Sequence, residues 1–249
     1  MPPVSEEDLK VHLPRSGATA LAQDEEFFEV EVDGERRRLR CHDYGDIYSV
    51  PGLYERIFAE VLSCRSPEVV VELLEETLVK QQRDPKALRV VDLGAGNGMV
   101  AEELDRIGAE SIVGIDLLEE AKEAAERDRP GLYDDYHALD LTELDSATRE
   151  QLERHGFNAL TCVAALGFGD MPPDAFQTAF DFVRPGGWVA FNIRDEFVSS
   201  EDRSGFAKLL DRLYDEGELT QHARVRYQHR VSVEGEPIHY IAVVAQKAE

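Results

Sequence analysis

One stretch, VVDLGAGNGMVAEEL at residues 90–104, constrains this 249-residue chain more than any other. A short apolar strand ends in Asp92, and Gly94, Gly96 and Gly98 lead directly into a helical pattern. Glycine turns the chain through positive φ without a Cβ clash and lets a ligand approach the backbone closely. A helix starting near Gly98 would aim its unpaired N–H groups, and the positive end of its dipole, at whatever sits above the turn. A strand, a tight glycine turn and a helix in that order open a βαβ unit, and therefore a mainly parallel sheet covered on both faces.

The rest of the chain agrees. SIVGIDL, YDDYHALDL, FNALTCVAAL and GGWVAFNI read as further strands, separated by the helical runs EEAKEAAERD and PDAFQTAFDFV. RSGFAKLLDRLYDEG is a last helix, and ARVRYQHRVSV with IHYIAVVAQK, joined by EGEP, form an antiparallel pair at the sheet edge. The expected fold is α/β: a Rossmann-like, seven-stranded, mainly parallel sheet with helices on both faces and a C-terminal antiparallel strand pair.

Residues 86–249 would form this domain and residues 1–85 an N-terminal cover. Within the cover, residues 1–26 read as a loose polar arm, and Asp33-Gly34 joins two extended runs as a hairpin. LYERIFAEVLS is helical. Ser66 is placed to cap the next helix, with Pro67 in its first turn and Asp84-Pro85 as its stop.

Two more acids complete the pattern. Asp116 ends the second strand twenty residues after Gly96, where a carboxylate accepts hydrogen bonds from both ribose hydroxyls. Asp140 ends the third strand, within reach of an adenine amino group. Open α/β sheets bind ligands at this C-terminal rim, so a nucleoside site is expected there.

These residues resemble the class I S-adenosylmethionine-dependent methyltransferases. VVDLGAGNGMVAEEL is similar to their first motif, VGIDL and YHALDL to their second- and third-strand acids, and NALTCVAALGFGDMPP to the segment after the fourth strand. VRPGGWVAFNI is similar to the turn into the fifth strand. Within that family, PGLY at 130–133 and RPGGWV look most like the methyltransferase-like group named for the Williams–Beuren chromosomal region. The resemblance implies S-adenosyl-L-methionine as cofactor. It places Asp92, Gly94, Ala95, Gly96, Asn97, Gly98, Asp116, Leu117, Asp140, Leu141 and Val163 around it, with Asp92 and the turn backbone at the methionine part. The implied reaction is in-line methyl transfer to a small-molecule acceptor. Alternatives are an NAD(P)-dependent oxidoreductase and a non-catalytic nucleoside-binding protein of the same fold. The G-x-G-x-G spacing and the bulky Met99 depart from the dinucleotide G-x-G-x-x-G pattern.

The acceptor side is less constrained. A sulfonium methyl donor is already activated, so positioning supplies most of the acceleration and no catalytic dyad is required. His42, Tyr44, Tyr48 and Tyr54 precede or open a helix and are candidates for a lid that excludes water, with His42, Tyr48 and Asp170 as candidate catalytic groups. Asn192 and Asp195 follow the fifth strand and could join Asp170 at the rim, but the spacing of metal-dependent catechol-type enzymes is not reproduced, and no metal is expected. His137 and Cys162 read as packed strand residues.

With 51 acidic and 27 basic residues, the formal charge is −24. Such a surface repels phosphate backbones and anionic membranes, and Pro172-Pro173 lacks the flanking residues of nucleobase amino-methyltransferases; neither nucleic acid nor membrane is expected as a partner. The acidic, Lys-poor surface fits a high-salt cytoplasm, and the Arg bias equally fits a GC-rich genome. Three widely spaced cysteines and a polar, acidic start without an apolar core point to a reducing, cytoplasmic setting. The oligomeric state is left open.

Overall fold

The computed structural model describes residues 9–14, 22–32, 34–167, 170–198 and 202–249. Asp33, Phe168, Gly169 and residues 15–21 of the expected arm lie outside that set.

The seven-stranded sheet contains β4 (Arg89–Leu93), β5 (Ser111–Asp116), β6 (Asp135–Ala138), β7 (Ala159–Cys162), β8 (Trp188–Arg194), β9 (Leu219–Val231) and β10 (Pro237–Lys247), in the order β6-β5-β4-β7-β8-β10-β9. The first five pair in parallel; β10 runs antiparallel between β8 and β9. The order reverses between β4 and β7, so connections leave the sheet in opposite directions there and open a crevice at the strand C-termini.

Pleating divides the strands' side chains between two cores. Val91, Val113, Leu160 and Val189 join Phe157, Phe176, Phe180 and Leu152 on one face. That face is covered by α5 (Ser146–Glu153), α6 (Pro173–Phe182) and α7 (Phe206–Asp215). Val90, Ile112, Ala159 and Ala190 join Val70, Leu74, Leu78 and Leu104 on the other, under α2 (Ser66–Lys80) and α3 (Met99–Arg106). Thus α2 contributes directly to the sheet's core, although it precedes residue 86. The remaining helix, α4 (Glu119–Asp128), follows β5.

The cover is a small antiparallel sheet of β1 (Lys10–His12), β2 (Phe27–Val32) and β3 (Glu35–Arg40), then α1 (Tyr44–Tyr48) and a helical segment at Glu55–Val61. Three features differ from the sequence expectation. Part of the polar arm forms β1, where Val11 pairs opposite Val30. The segment at 55–61 winds as a π-helix, with Leu62 N–H donating to the Ile57 carbonyl at 2.9 Å. Ser66 does not cap α2: its hydroxyl is buried against Tyr227, at 2.6 Å, and His229 Nδ1, also at 2.6 Å.

Cover and sheet share a buried ion pair. Glu26 and Arg230 are each 2% exposed, and Arg230 donates to Glu26 Oε2. Glu26 Oε1 accepts the Val233 N–H at 2.8 Å, and Arg230 Nη1 donates to the Val231 carbonyl at 2.9 Å, so neither charge is left with bare valences.

Candidate active site

The glycine turn is held from below by side chains of β5 and β6. Asp116 Oδ2 accepts the Gly96 N–H at 2.9 Å, while its Oδ1 accepts the Leu118 N–H at 3.1 Å. Burial raises the Asp116 carboxyl above its ordinary range; the N–H groups of Gly96, Leu118 and Leu117 pull the other way. Tyr136 donates to the Gly96 carbonyl at 2.8 Å. Two glycines here have no room for a side chain: a Cβ on Gly94 (φ 69°) would lie 2.7 Å from Ala165 Cβ, and one on Gly96 (φ 53°) would lie 2.5 Å from the Tyr48 hydroxyl.

Above the turn sits a cavity of about 630 Å³, within the usual range for a small-molecule site. The sheet side contributes Gly94, Asp116, Leu117 and Val163; the cover contributes His42, Tyr44, Tyr48 and Tyr54; the loop after β7 contributes Ala164, Ala165 and Asp170. The three candidate catalytic residues therefore face one space. Ala95, Gly96 and Asn97 line a smaller adjoining cavity with Tyr48, Tyr54 and Val163.

The cover's aromatics form a continuous layer. Tyr48 stacks on Tyr54 with ring centroids 4.8 Å apart, Tyr54 meets Phe58 at 4.7 Å, and Tyr44 lies 6.3 Å from Tyr48. Burial pushes the Tyr44 and Tyr48 hydroxyls well above their ordinary range, so both stay protonated. The layer is pinned to the turn by Arg129, which donates to Glu55 Oε1 at 2.6 Å and to the Asn97 carbonyl at 3.3 Å.

His42 and Asp170 meet across the cavity wall, Nδ1 to Oδ2 at 2.7 Å. The His42 side chain is largely buried and that of Asp170 is half-exposed. A carboxylate on one imidazole nitrogen fixes the ring's orientation and tautomer, so the other nitrogen is the basic one.

Other predicted residues lie elsewhere. Asp92 is 1% exposed and does not line either cavity: Thr161 Oγ1 donates to its Oδ1 at 2.7 Å and the Tyr133 hydroxyl to its Oδ2 at 2.9 Å. Burial pushes its carboxyl up to about 7. Gly98 caps α3 beneath the side chains of Tyr133 and Arg129. Asp140 is exposed and accepts from Thr142 N–H and Oγ1 at 2.8 and 2.7 Å; Leu141 is buried in the core. Asp195 pairs with Arg226 at 3.0 Å. Asn192 is fully buried and acts through the backbone: its Oδ1 accepts the N–H of Ala164, at 2.6 Å. Ala164 sits at φ 59°, an uncommon conformation for a residue with a Cβ, and the Asn192 bond helps to fix it there. Sequence reasoning does not find Glu55, Arg129, Tyr133 or Tyr136.

Comparison with known proteins agrees with the fold. The profile of a methyltransferase domain family matches residues 63–235. The ubiquinone biosynthesis O-methyltransferase of Paraburkholderia phymatum is 30% identical over 118 residues, 45% of this chain and 47% of that protein. The protein of the same name from Thiobacillus denitrificans is 35% identical over 105 residues, 42% and 43% of the two chains. The chain thus matches about half the length of these curated relatives.

Among solved structures, an S-adenosylmethionine-dependent methyltransferase from Clostridium acetobutylicum superposes with a TM-score of 0.53 at 14% identity, over 79% of this chain and 97% of that one. The N-methyltransferase NodS of Bradyrhizobium japonicum, crystallised with S-adenosyl-L-homocysteine, gives 0.52 at 18% identity, over 73% and 87%. At these identities the likeness is one of fold. Among the described residues, no helix is long and apolar enough to cross a membrane.

Proposed function

Since the chain belongs to the methyltransferase domain family, we propose that it is an S-adenosylmethionine-dependent enzyme that methylates a small molecule carrying an acidic hydroxyl, such as a phenol. The observation that carries this reading is the arrangement of Asp116, Gly94 and the His42–Asp170 pair around one cavity. The fit to the cofactor rests on three features of this chain. Gly94 brings backbone without a Cβ to the cavity wall, Asp116 is a strand-end acid facing the cavity, and Leu117 leaves an apolar side chain 61% exposed at its wall. An aromatic base laid on Leu117 would cover that surface while Asp116 holds the ribose hydroxyls.

Bound S-adenosylmethionine supplies an already activated methyl group, so the protein's task is alignment and proton management. Tyr44, Tyr48 and Tyr54 keep water from one wall of the space, which strengthens the polar contacts made there. His42, held through Nδ1 by Asp170, takes the acceptor's hydroxyl proton at Nε2 as the oxygen becomes the nucleophile. The likeness to enzymes named as O-methyltransferases supports an oxygen acceptor. The rival oxidoreductase reading has no counterpart among these matches.

Calorimetry with S-adenosylmethionine and S-adenosylhomocysteine, followed by turnover on a panel of phenols and catechols, tests the proposal. Binding of both ligands and transfer to oxygen are expected. Absence of binding at millimolar cofactor would overturn it, and binding without transfer to any acceptor would favour the non-catalytic reading.

A further inference from the structure

A second cluster, outside both cavities, has the composition of a metal site. Asp135 and His137 are two residues apart in β6, so pleating projects both from the sheet face opposite Tyr136. His155, in the turn after α5, comes to the same place. One ligand atom from each residue lies within 4.8 Å of the other two. Nitrogen and oxygen donors around a tetrahedral zinc ion, at about 2.0–2.1 Å from the metal, stand roughly 3.4 Å apart, so small side-chain rotations close the gap.

Two details point to a ligand. His137 Nε2 is buried without a hydrogen-bond partner among the described residues. Asp135 Oδ2 lies 3.1 Å away, yet its approach is outside hydrogen-bonding geometry. A cation held between this buried nitrogen and the facing carboxylate oxygen would satisfy both. The donors are also held in place. Asp135 Oδ1 accepts the Tyr136 N–H at 2.9 Å, which orients Oδ2. Arg89 donates from Nε and Nη2 to the His155 carbonyl at 2.8 and 2.6 Å, and the His155 ring stacks on Phe157 at 5.4 Å. Such outer contacts orient metal-binding side chains.

We propose that Asp135, His137 and His155 bind a divalent transition ion of the zinc class, which clamps edge strand β6 to the turn after α5. Two imidazoles with one carboxylate favour such an ion over magnesium or calcium, which prefer all-oxygen shells. Three protein ligands leave the ion's fourth position to water; since none of the three residues lines the cavity around Asp116, the ion would hold strand to turn and take no part in that site. This clamp does not depend on the proposed methyl transfer.

The test uses the full chain, stripped with a chelator and titrated with Zn²⁺ against a chromophoric competitor, with Mg²⁺ and Ca²⁺ in parallel. About one equivalent of Zn²⁺ should bind at micromolar or tighter affinity and raise the thermal midpoint. Both effects should weaken at least tenfold in His155→Gln and in Asp135→Asn, two partly exposed positions whose metal-free melts report folding, and should persist in Asp116→Ala. Zn²⁺ binding unchanged by both substitutions, binding no tighter than millimolar, or equal binding of Mg²⁺ would each overturn the proposal.

Discussion

Asp116 and Gly96, twenty residues apart, are joined by a 2.9 Å hydrogen bond from the glycine N–H to the carboxylate, so the acid at the end of β5 shapes the turn above β4. The same carboxylate faces the cavity, so the group that holds the turn is also the one proposed to meet the ribose hydroxyls. Asp116→Ala is expected to weaken S-adenosylmethionine binding about 10- to 100-fold, the loss of one or two hydrogen bonds to a charged group. Calorimetry reads the loss. Asp116→Asn, which keeps an acceptor, should fall between wild type and alanine.

Asp92 predicts a pH dependence of stability. Its carboxyl ionises near 3.8 when exposed and is pushed up to about 7 in the folded chain by burial. The folded state therefore keeps a proton that the unfolded state gives up. The stability from this group is fully present below the unfolded value and is lost as pH rises through the folded one. The slope between them is at most ~1.4 kcal/mol per pH unit. Urea unfolding at about pH 5 and pH 8 should show wild type losing stability relative to Asp92→Asn as pH rises. Parallel behaviour of the two proteins would contradict the burial argument.

The His42–Asp170 pair predicts a split between chemistry and binding. His42→Gln should lower kcat for an oxygen acceptor roughly 100-fold or more, the usual yield of a positioned base. Its affinity for S-adenosylhomocysteine should stay within about threefold of wild type, because no cofactor contact is assigned to the ring. Asp170→Asn should lower kcat by less. Equal losses of kcat and cofactor affinity in His42→Gln would make the histidine a packing residue.

The Glu26–Arg230 pair predicts an asymmetry. Glu26→Ala leaves a guanidinium 2% exposed without its counter-charge and also removes the acceptor for Val233 N–H. The cost should be about 3–5 kcal/mol in denaturant unfolding. Glu26→Ala with Arg230→Met should recover part of it, since the uncompensated charge is then gone.

The central strands β4, β5, β7 and β8 are legible in the sequence because they are short apolar runs set off by glycine- and proline-bearing turns, and EGEP marks the reversal between β9 and β10. Other elements are hidden for physical reasons. SATREQLE buries only Leu152, so α5 lacks an apolar stripe; its one local signal is Asp145, whose side chain accepts the Thr148 N–H at 2.8 Å. Ser66 beside Pro67 has the form of a cap, but its partners Asn192, Tyr227 and His229 lie 126 to 163 residues away. The candidate site divides the same way. The glycines and Asp116 announce themselves by spacing. The Tyr136 bond to Gly96 spans 40 residues and the Glu55–Arg129 link spans 74, distances that no local pattern carries.

The Tyr48 ring on the bare backbone of Gly96 has a kinetic consequence. A ligand that takes the face of Gly96 now covered by Tyr48 must wait for the ring to move, so the observed rate of uptake should level off with rising ligand concentration instead of climbing in proportion. The plateau would equal the frequency at which the Tyr48 ring swings aside. A smaller side chain at position 48 would raise that ceiling and, by the same change, let water in.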